Sequence, residues 1–421
     1  EGPGCYDPMP LASRTRPLAI PSRIDLAETE GRFYVENVYE GTGMERVEPG
    51  SVKFLRVVES PEKRFWTRPA WNGGTGAQAP GMGWDDFNNK RILGTVPVQA
   101  DGSVFFTVPA DTFVYFQLLD EKGMMIQSMR SGTIVRPGEM VGCHENRRST
   151  ALLEYSGTAW QRGPRELEPW YGSARLFSYT AEVQPVFDRH CVDCHDYGEE
   201  AAQKLNLAAD RNLVFKTSYV ELRRKGYVQD VGAGPFLTQM PKSWGSHASP
   251  LAKVLVQGHE QTEINKEIQL DPESVDRIIT WIDINAPYYG HYASAYGDNP
   301  YGRSALTSEQ LKRLSDLTGI KLTDRRHIDQ VNLTRPEYSP CLAKLSDQND
   351  STYQEALAII HSGKQQLAAR PRADMPEFQL VSPGEIRQQK KYDALLEQET
   401  RMRTAIIRGE KQFTQEEGEN H

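Results

Sequence analysis

Between residues 32 and 136 the apolar residues come in short runs separated by turn signals: Phe33–Val35, Val52–Val58, Gly94–Val98, Ser103–Val108 and Val114–Leu119. Runs of this length, rich in Val, Phe and Tyr, suit strands, whose successive side chains point to opposite faces. Asp120-Glu-Lys-Gly123 predicts a hairpin turn, and Asp101-Gly102 a second turn, because Gly adopts the left-handed backbone that tight turns demand. Together these runs predict a β-sandwich-like unit over 31–150.

Further along, the apolar spacing lengthens to the helical period. Thr180 to Arg189 predicts a helix, with Thr180 as N-cap and Glu182 near its positive end. Asp271-Pro272 opens a second helix, with Val275, Ile278, Ile279 and Ile282 on one apolar face. After Gly290 the chain turns polar and aromatic, then largely helical: capped amphipathic helices begin at Thr307 and Ser351. Ile386 to Arg408 is a charged helix that reads as a solvated strut, and the acidic tail to His421 as disordered.

Composition narrows the class. The 421 residues allow two or three domains, each with its own core. The longest apolar stretch, Val104 to Leu119, is interrupted by Pro109 and Asp111 and falls short of the roughly 18 residues of a membrane helix. A formal net charge of -8 argues against a nucleic-acid surface, while leaving room for a basic patch that docks an acidic partner.

The chemistry concentrates in Cys191-Val-Asp-Cys194-His195, the attachment signature of a c-type haem. Two thiols one helical turn apart can each add to a haem vinyl group, and the next imidazole then faces the iron as an axial ligand. A redox dithiol or half a zinc site is the alternative, but the sequence has no second Cys-x-x-Cys and no thioredoxin-like strand before this one. With the helices on either side, residues 174–290 read as a central all-α cytochrome c-like domain. Leu205, Leu207, Val214 and Phe215 would cover a porphyrin edge. The second axial ligand is expected at His259, just before the closing helix, with His247 and Met240 as the other choices. Without iron, His247 reads as a helix-start residue and Met240 as core filler. Because c-type haem is attached outside the cytoplasm, the chain is expected in an extracytoplasmic compartment, its signal segment removed or the chain itself a piece of a longer one.

A second stretch, Met140-Val-Gly-Cys143-His144, looks like the same motif with Met140 in place of its first cysteine. Cys143 could hold a second haem by one thioether with His144 as ligand, join a disulfide, or bind a metal together with His144. Cys5, Cys143 and Cys341 form an odd set outside the motif, so at most one disulfide closes among them, and Cys143 to Cys341 is the expected pair. Trp66, Trp71 and Trp84 sit in a Gly-rich loop that either covers a cofactor face or packs as plain surface.

The expected architecture is therefore α+β and multidomain: an extended Pro-rich arm (1–30), a β-sandwich-like domain (31–150), a linker (151–173), the cytochrome c-like haem domain (174–290) and a helical C-terminal region (291–421). Five segments add a family resemblance: Pro109–Gln117, Met129–Thr133 with Pro137–Glu139, Trp244–Leu251, Trp281–Gly290 and Pro371–Pro376. On these residues the chain resembles the middle and C-terminal regions of the hydrazine synthase α subunit, without that family's N-terminal β-propeller. The resemblance implies an active-site haem at Cys143 and His144, where Met140 replaces the family's first cysteine. It also implies an electron-transfer haem, held by two histidines, at Cys191, Cys194 and His195. It further implies redox partners or sister subunits of a multihaem complex in a periplasm or an anammoxosome-like compartment. Two functions follow: a c-type cytochrome that passes electrons, or the catalytic haem chain of a hydrazine synthase-like enzyme.

Overall fold

The computed structural model describes residues 23–41, 43–65, 89–143, 157–231, 239–257, 270–345 and 347–411. Among the described residues the N-terminal part holds seven strands: β1 (Glu30–Val35), β2 (Phe54–Glu59), β3 (Arg91–Pro97), β4 (Val104–Pro109), β5 (Val114–Leu119), β6 (Met125–Ser128) and β7 (Met140–Cys143). They form a three-stranded sheet in the order β4-β1-β7 and a four-stranded sheet in the order β3-β2-β5-β6. β7 runs parallel to β1, while the other strand pairs are antiparallel. Three rings lock the sheets together. Phe33 of β1 and Phe106 of β4 lie 5.2 and 5.3 Å from Phe116 of β5, both edge-on, the geometry aromatic quadrupoles favour.

Both turn signals are used. Asp120 Oδ1 accepts from the backbone N–H of Lys122 and of Met124, and Gly123 takes φ 75°, closing the β5–β6 hairpin. The Asp101-Gly102 turn does different work: it carries the chain from β3 in one sheet to β4 in the other. A Cβ at Gly102, which has φ 82°, would meet Asn37 Oδ1 at 2.3 Å, so the turn admits no side chain there.

The helices are α1 (Thr158–Arg162), α2 (Tyr179–Glu182), α3 (Gln184–His190), α4 (Val192–His195), α5 (Glu200–Lys204), α6 (Thr217–Arg224), α7 (Pro250–Gln257), α8 (Pro272–Asp283), α9 (Ser308–Thr318), α10 (Ser351–Ala369) and α11 (Pro383–Ile407). α8 matches its expected form. Asp271 Oδ1 accepts from Ser274 N at 2.9 Å, Pro272 occupies the first turn, and Ile278, Ile279 and Ile282 are buried. α9 carries a full capping box between Thr307 and Gln310. α11 has no buried residue, as a solvated strut should not. The helix leading to the cysteines is shorter than its pattern suggests. It breaks at Val183 into α2 and α3, and the N-cap position is Ser178 rather than Thr180.

The mixed α+β class holds, but residues 174–290 do not form an all-α cytochrome c-like domain. Their helices are mostly one or two turns long, and the run 205–216 is extended and turned rather than helical. Its Asn206 and Asn212 side chains accept from the N–H groups of Ala208 and of Val214 and Phe215, giving the backbone local partners in place of helix bonds. The core around Tyr179, Tyr219 and Trp281 also continues into Val58, Ile92 and Met124 of the strand region, and into Leu306, Leu333 and Ile360 beyond residue 290. Tyr179, Tyr219 and Trp281 are buried within it.

The four-stranded sheet meets α8 through polar groups. β2 is buried on both faces, and Arg56, at 1% exposure, donates to Gln117 Oε1 at 3.2 Å and Thr280 Oγ1 at 2.8 Å. Gln117 donates to the backbone carbonyl of Asp283 at 2.7 Å. Asp283 in turn accepts from Met125 N at 3.0 Å and from Ser246 N at 2.7 Å, tying β6, α8 and the turn at Gly245 together. Burial pushes the Asp283 carboxyl up to about 6, against the opposing pull of Arg56 and of these donors.

The sign of the pH effect follows from that shift. An acid whose folded pKa lies above its unfolded value, roughly 3.9, favours the folded state most while protonated. The contribution is complete below the unfolded value and is lost as pH rises through about 6. Thermal midpoints measured from pH 4 to pH 7 should therefore contain a falling component, and Asp283→Asn should flatten it.

Candidate functional site

The Cys-x-x-Cys-His turn is built as its spacing requires. Cys191 N donates to Phe187 O at 2.8 Å at the end of α3; Cys194 N and His195 N then donate to Cys191 O at 3.2 and 3.0 Å. One helical turn thus separates the two thiols. Both are free and half-buried, with Cys191 packed against the main core. Burial, with the neighbouring Cys194 adding to it, pushes the Cys191 thiol up to about 12.

His195 is held from two directions. Its Nδ1 lies 2.7 Å from the backbone carbonyl of Leu205, so that nitrogen carries the proton and donates. Its own carbonyl accepts from Leu207 N at 2.8 Å. The donated bond fixes the tautomer in which Nε2 bears the lone pair, as an imidazole ligand to a metal requires. Leu205, Leu207, Val214 and Phe215, the residues expected to cover a porphyrin edge, are all buried.

Arg335, which the sequence reading passes over, clamps the segment after the motif. Its guanidinium donates to Asp196 Oδ2 at 2.9 Å and to Asp210 Oδ1 at 2.7 Å, bridging carboxylates on both sides of the α5 region. Tyr197 and Tyr338 lie against it at 5.0 and 5.2 Å. The bond from Arg335 holds the Asp196 carboxyl below the usual range, outweighing the upward push of burial. Planar, bidentate pairing of this kind is what a guanidinium does better than an ammonium. No sequence signal points to Arg335, 139 positions from its partner Asp196. His190 is the other residue missed: its Nε2 is buried without a hydrogen-bond partner, and the flanking His190 is visible in the motif itself as His-Cys-Val-Asp-Cys-His.

The remaining expected ligands are scattered. His259 and His144 lie outside the described residues, as do Cys5 and the loop bearing Trp66, Trp71 and Trp84. The His247 Nε2 lies 3.2 Å from Asp120 Oδ2 at the β5–β6 turn. Met240 is 43% exposed and so is not core filler. The stretch Met140–Cys143 is strand β7, paired with β1 from Arg32 to Val35, so positions 140 and 143 lack the one-turn spacing of 191 and 194. Cys341 is a free thiol with 0% exposure in the main core, which overturns its expected disulfide to Cys143. Cys341 packs inward among core side chains while Pro340 stays exposed, and burial pushes the thiol up to about 12. Among the described residues no group of three or more His, Cys, Asp or Glu side chains is arranged to hold a metal ion.

Residues 50–145, which include β2 to β7, match the family described as the hydrazine synthase alpha subunit middle domain. Among solved structures the chain is similar to Kuenenia stuttgartiensis hydrazine synthase, with 16% sequence identity and a TM-score of 0.44. That likeness covers 62% of this chain and 43% of the other, so the chain spans less than half the length of the protein it matches. No curated protein matches it. The resemblance to hydrazine synthase α subunits is borne out, its family match lying over the strand region.

Thiol chemistry tests this arrangement. The thiolate is the species that alkylates, so two thiols raised to about 12 should react slowly at mildly alkaline pH. In haem-free protein, peptide mapping after iodoacetamide treatment should find Cys191 slow, and Cys341 modified only once the chain is unfolded. Recovery of a Cys143–Cys341 disulfide under non-reducing conditions would count against the structure.

Proposed function

With a hydrazine synthase α-like middle domain as the premise, we propose that the chain is an electron-transfer subunit carrying one covalent haem c at Cys191, Cys194 and His195. The helical turn that places both thiols beside His195, with its Nδ1 fixed on Leu205 O, carries this reading. When bound, the haem supplies a one-electron iron couple. The protein's part is positional. Cys191 and Cys194 anchor the group at two points, and Leu205 sets which His195 nitrogen is available to iron.

The pKa of Cys191 argues against the rival reading. A dithiol that exchanges with disulfides needs a thiolate near neutral pH, whereas burial drives Cys191 the other way. Arg335 keeps Asp196 and Asp210 paired, so the segment joining the motif to Leu205 is anchored at both ends. A rigid seat of this kind suits electron transfer, which gains from a cofactor whose surroundings need not rearrange. His259 would be the second histidine to hold the haem iron. By the same reading the chain works outside the cytoplasm, with redox proteins or sister subunits of a hydrazine synthase-like complex as partners. Among the described residues no helix is long and apolar enough to cross a membrane.

Covalent attachment is directly measurable. Protein matured with a c-type haem assembly system should retain its haem through denaturation and acid-acetone extraction, with one haem per chain in a pyridine haemochrome assay. Cys191→Ser or Cys194→Ser should weaken that retention, and replacing both should abolish it. Complete extraction of haem from the unaltered protein would remove the proposal.

A further inference from the structure

Behind the motif lies a cluster of four fully or nearly fully buried tyrosines, Tyr179, Tyr219, Tyr288 and Tyr289, with Trp281 against them. The Tyr288 ring sits at its centre, 4.8 Å from Tyr219, 4.8 Å from Tyr289 and 5.5 Å from Tyr179, and Tyr179 is 5.0 Å from Trp281. Aromatic crowding alone is ordinary core packing. The hydroxyl partners are not ordinary. Tyr179 donates to the Ser218 hydroxyl, Tyr219 to the carbonyl of Ala286, and Tyr289 to the carbonyl of Val214. Tyr288 alone of the four donates to a carboxylate, Asp374 Oδ2, at 2.8 Å.

That carboxylate is held ionised inside the core. Burial would raise its pKa, but Arg372, fully buried with it, donates to both of its oxygens at 2.8 and 2.9 Å and brings it down to about 2. Arg372 is itself bonded to the carbonyl of Asn212 at 3.0 Å. A buried ion pair of this kind is no strong source of stability compared with apolar packing, so its presence among five aromatic rings invites another role.

We propose that Tyr288 is a redox-active tyrosine, oxidised reversibly by one electron, with Asp374 as its proton acceptor. In the step, Tyr288 gives one electron to a high-potential one-electron metal oxidant, and its phenolic proton passes to Asp374 Oδ2. The products are a neutral phenoxyl, a neutral carboxylic acid and the reduced oxidant; return of one electron restores phenol and carboxylate. The positive charge left in the core then rests on the Arg372 guanidinium, already bonded to backbone carbonyl oxygen, rather than on a ring. The hydroxyls of the other three donate to a serine hydroxyl or a backbone carbonyl, weak bases whose use as acceptors would leave a charged group in a low-dielectric core, which burial disfavours. The ring contacts to Tyr179 and Trp281 offer the electron a path toward α2 and α8.

Flash-quench photo-oxidation with a ruthenium polypyridyl complex tests this, read by electron paramagnetic resonance on rapidly frozen samples. The oxidant comes from outside, so the outcome does not depend on whether haem is bound. Unaltered protein should give a tyrosyl signal that survives a brief pulse of ascorbate and narrows when ring-deuterated tyrosine is incorporated. Tyr288→Phe, which keeps the ring, should lose that protected component while near-ultraviolet circular dichroism stays native. Should the variant misfold, unaltered protein equilibrated in heavy water still decides the matter: proton transfer to Asp374 requires slower radical formation than in light water. Persistence of the protected signal in Tyr288→Phe, its absence from unaltered protein, or equal rates in the two solvents would each overturn the proposal.

Discussion

Everything in this fold turns on a buried polar seam between the four-stranded sheet and helix α8. A strand packed on both faces would ordinarily be apolar throughout, yet β2 places Arg56 at the centre of the seam, and β5 places Gln117 beside it. Their partners are Thr280 and the Asp283 carbonyl on α8, while the Asp283 carboxylate collects N–H groups from β6 and from the Gly245 turn. Loss of one partner from such a network leaves a buried polar group unpaired, at a cost of about 1–3 kcal/mol for a neutral group and more for a charged one. The seam therefore fixes orientation as well as adhesion: apolar surfaces can slide, but these donors and acceptors meet in one register only. A Cβ at Gly245 would lie 2.7 Å from Asp283 Oδ1, which shows how closely the turn is drawn in.

The seam also explains the limits of the sequence pattern. Strands β1 to β5 could be read because their alternation and the Asp-Gly and Asp-x-x-Gly turns are local signals, satisfied within a few residues. Helix α8 was legible for the same reason, through Asp271, Pro272 and four apolar positions at helical spacing. The polar contacts of Arg56 and Gln117 carry no such signal, since nothing local tells a charged residue facing water from one facing a distant Thr280. The cytochrome-like expectation failed similarly. The helices were partly right, but the local hydrogen bonding of Asn206 and Asn212 and the shared core across residue 290 are properties of the folded whole.

At the site, the short-range geometry was the legible part. Cys191, Cys194 and His195 sit on one turn as their spacing implies, because three residues are enough to specify it. What holds that turn comes from elsewhere: Leu205 O for the imidazole, Arg335 for Asp196 and Asp210. The similar-looking Met140–Cys143 stretch shows the converse. The same spacing drawn into a sheet edge by β1 becomes extended backbone, so spacing alone does not define a motif until its neighbours choose helix or strand.

The Arg335 clamp bears on how portable the motif is. A five-residue signature invites the idea of a cassette that can be lifted onto another scaffold, yet here the loop behind it carries two carboxylates, Asp196 and Asp210, that one distant guanidinium draws together. Cut away from residues 330–340, the cassette would take with it a pair of like charges and lose the cation between them, and the strands of backbone they sit on would be pushed apart rather than gathered. The unit that evolution or an engineer could move intact is therefore not the pentapeptide but the motif together with a piece of chain more than a hundred residues downstream.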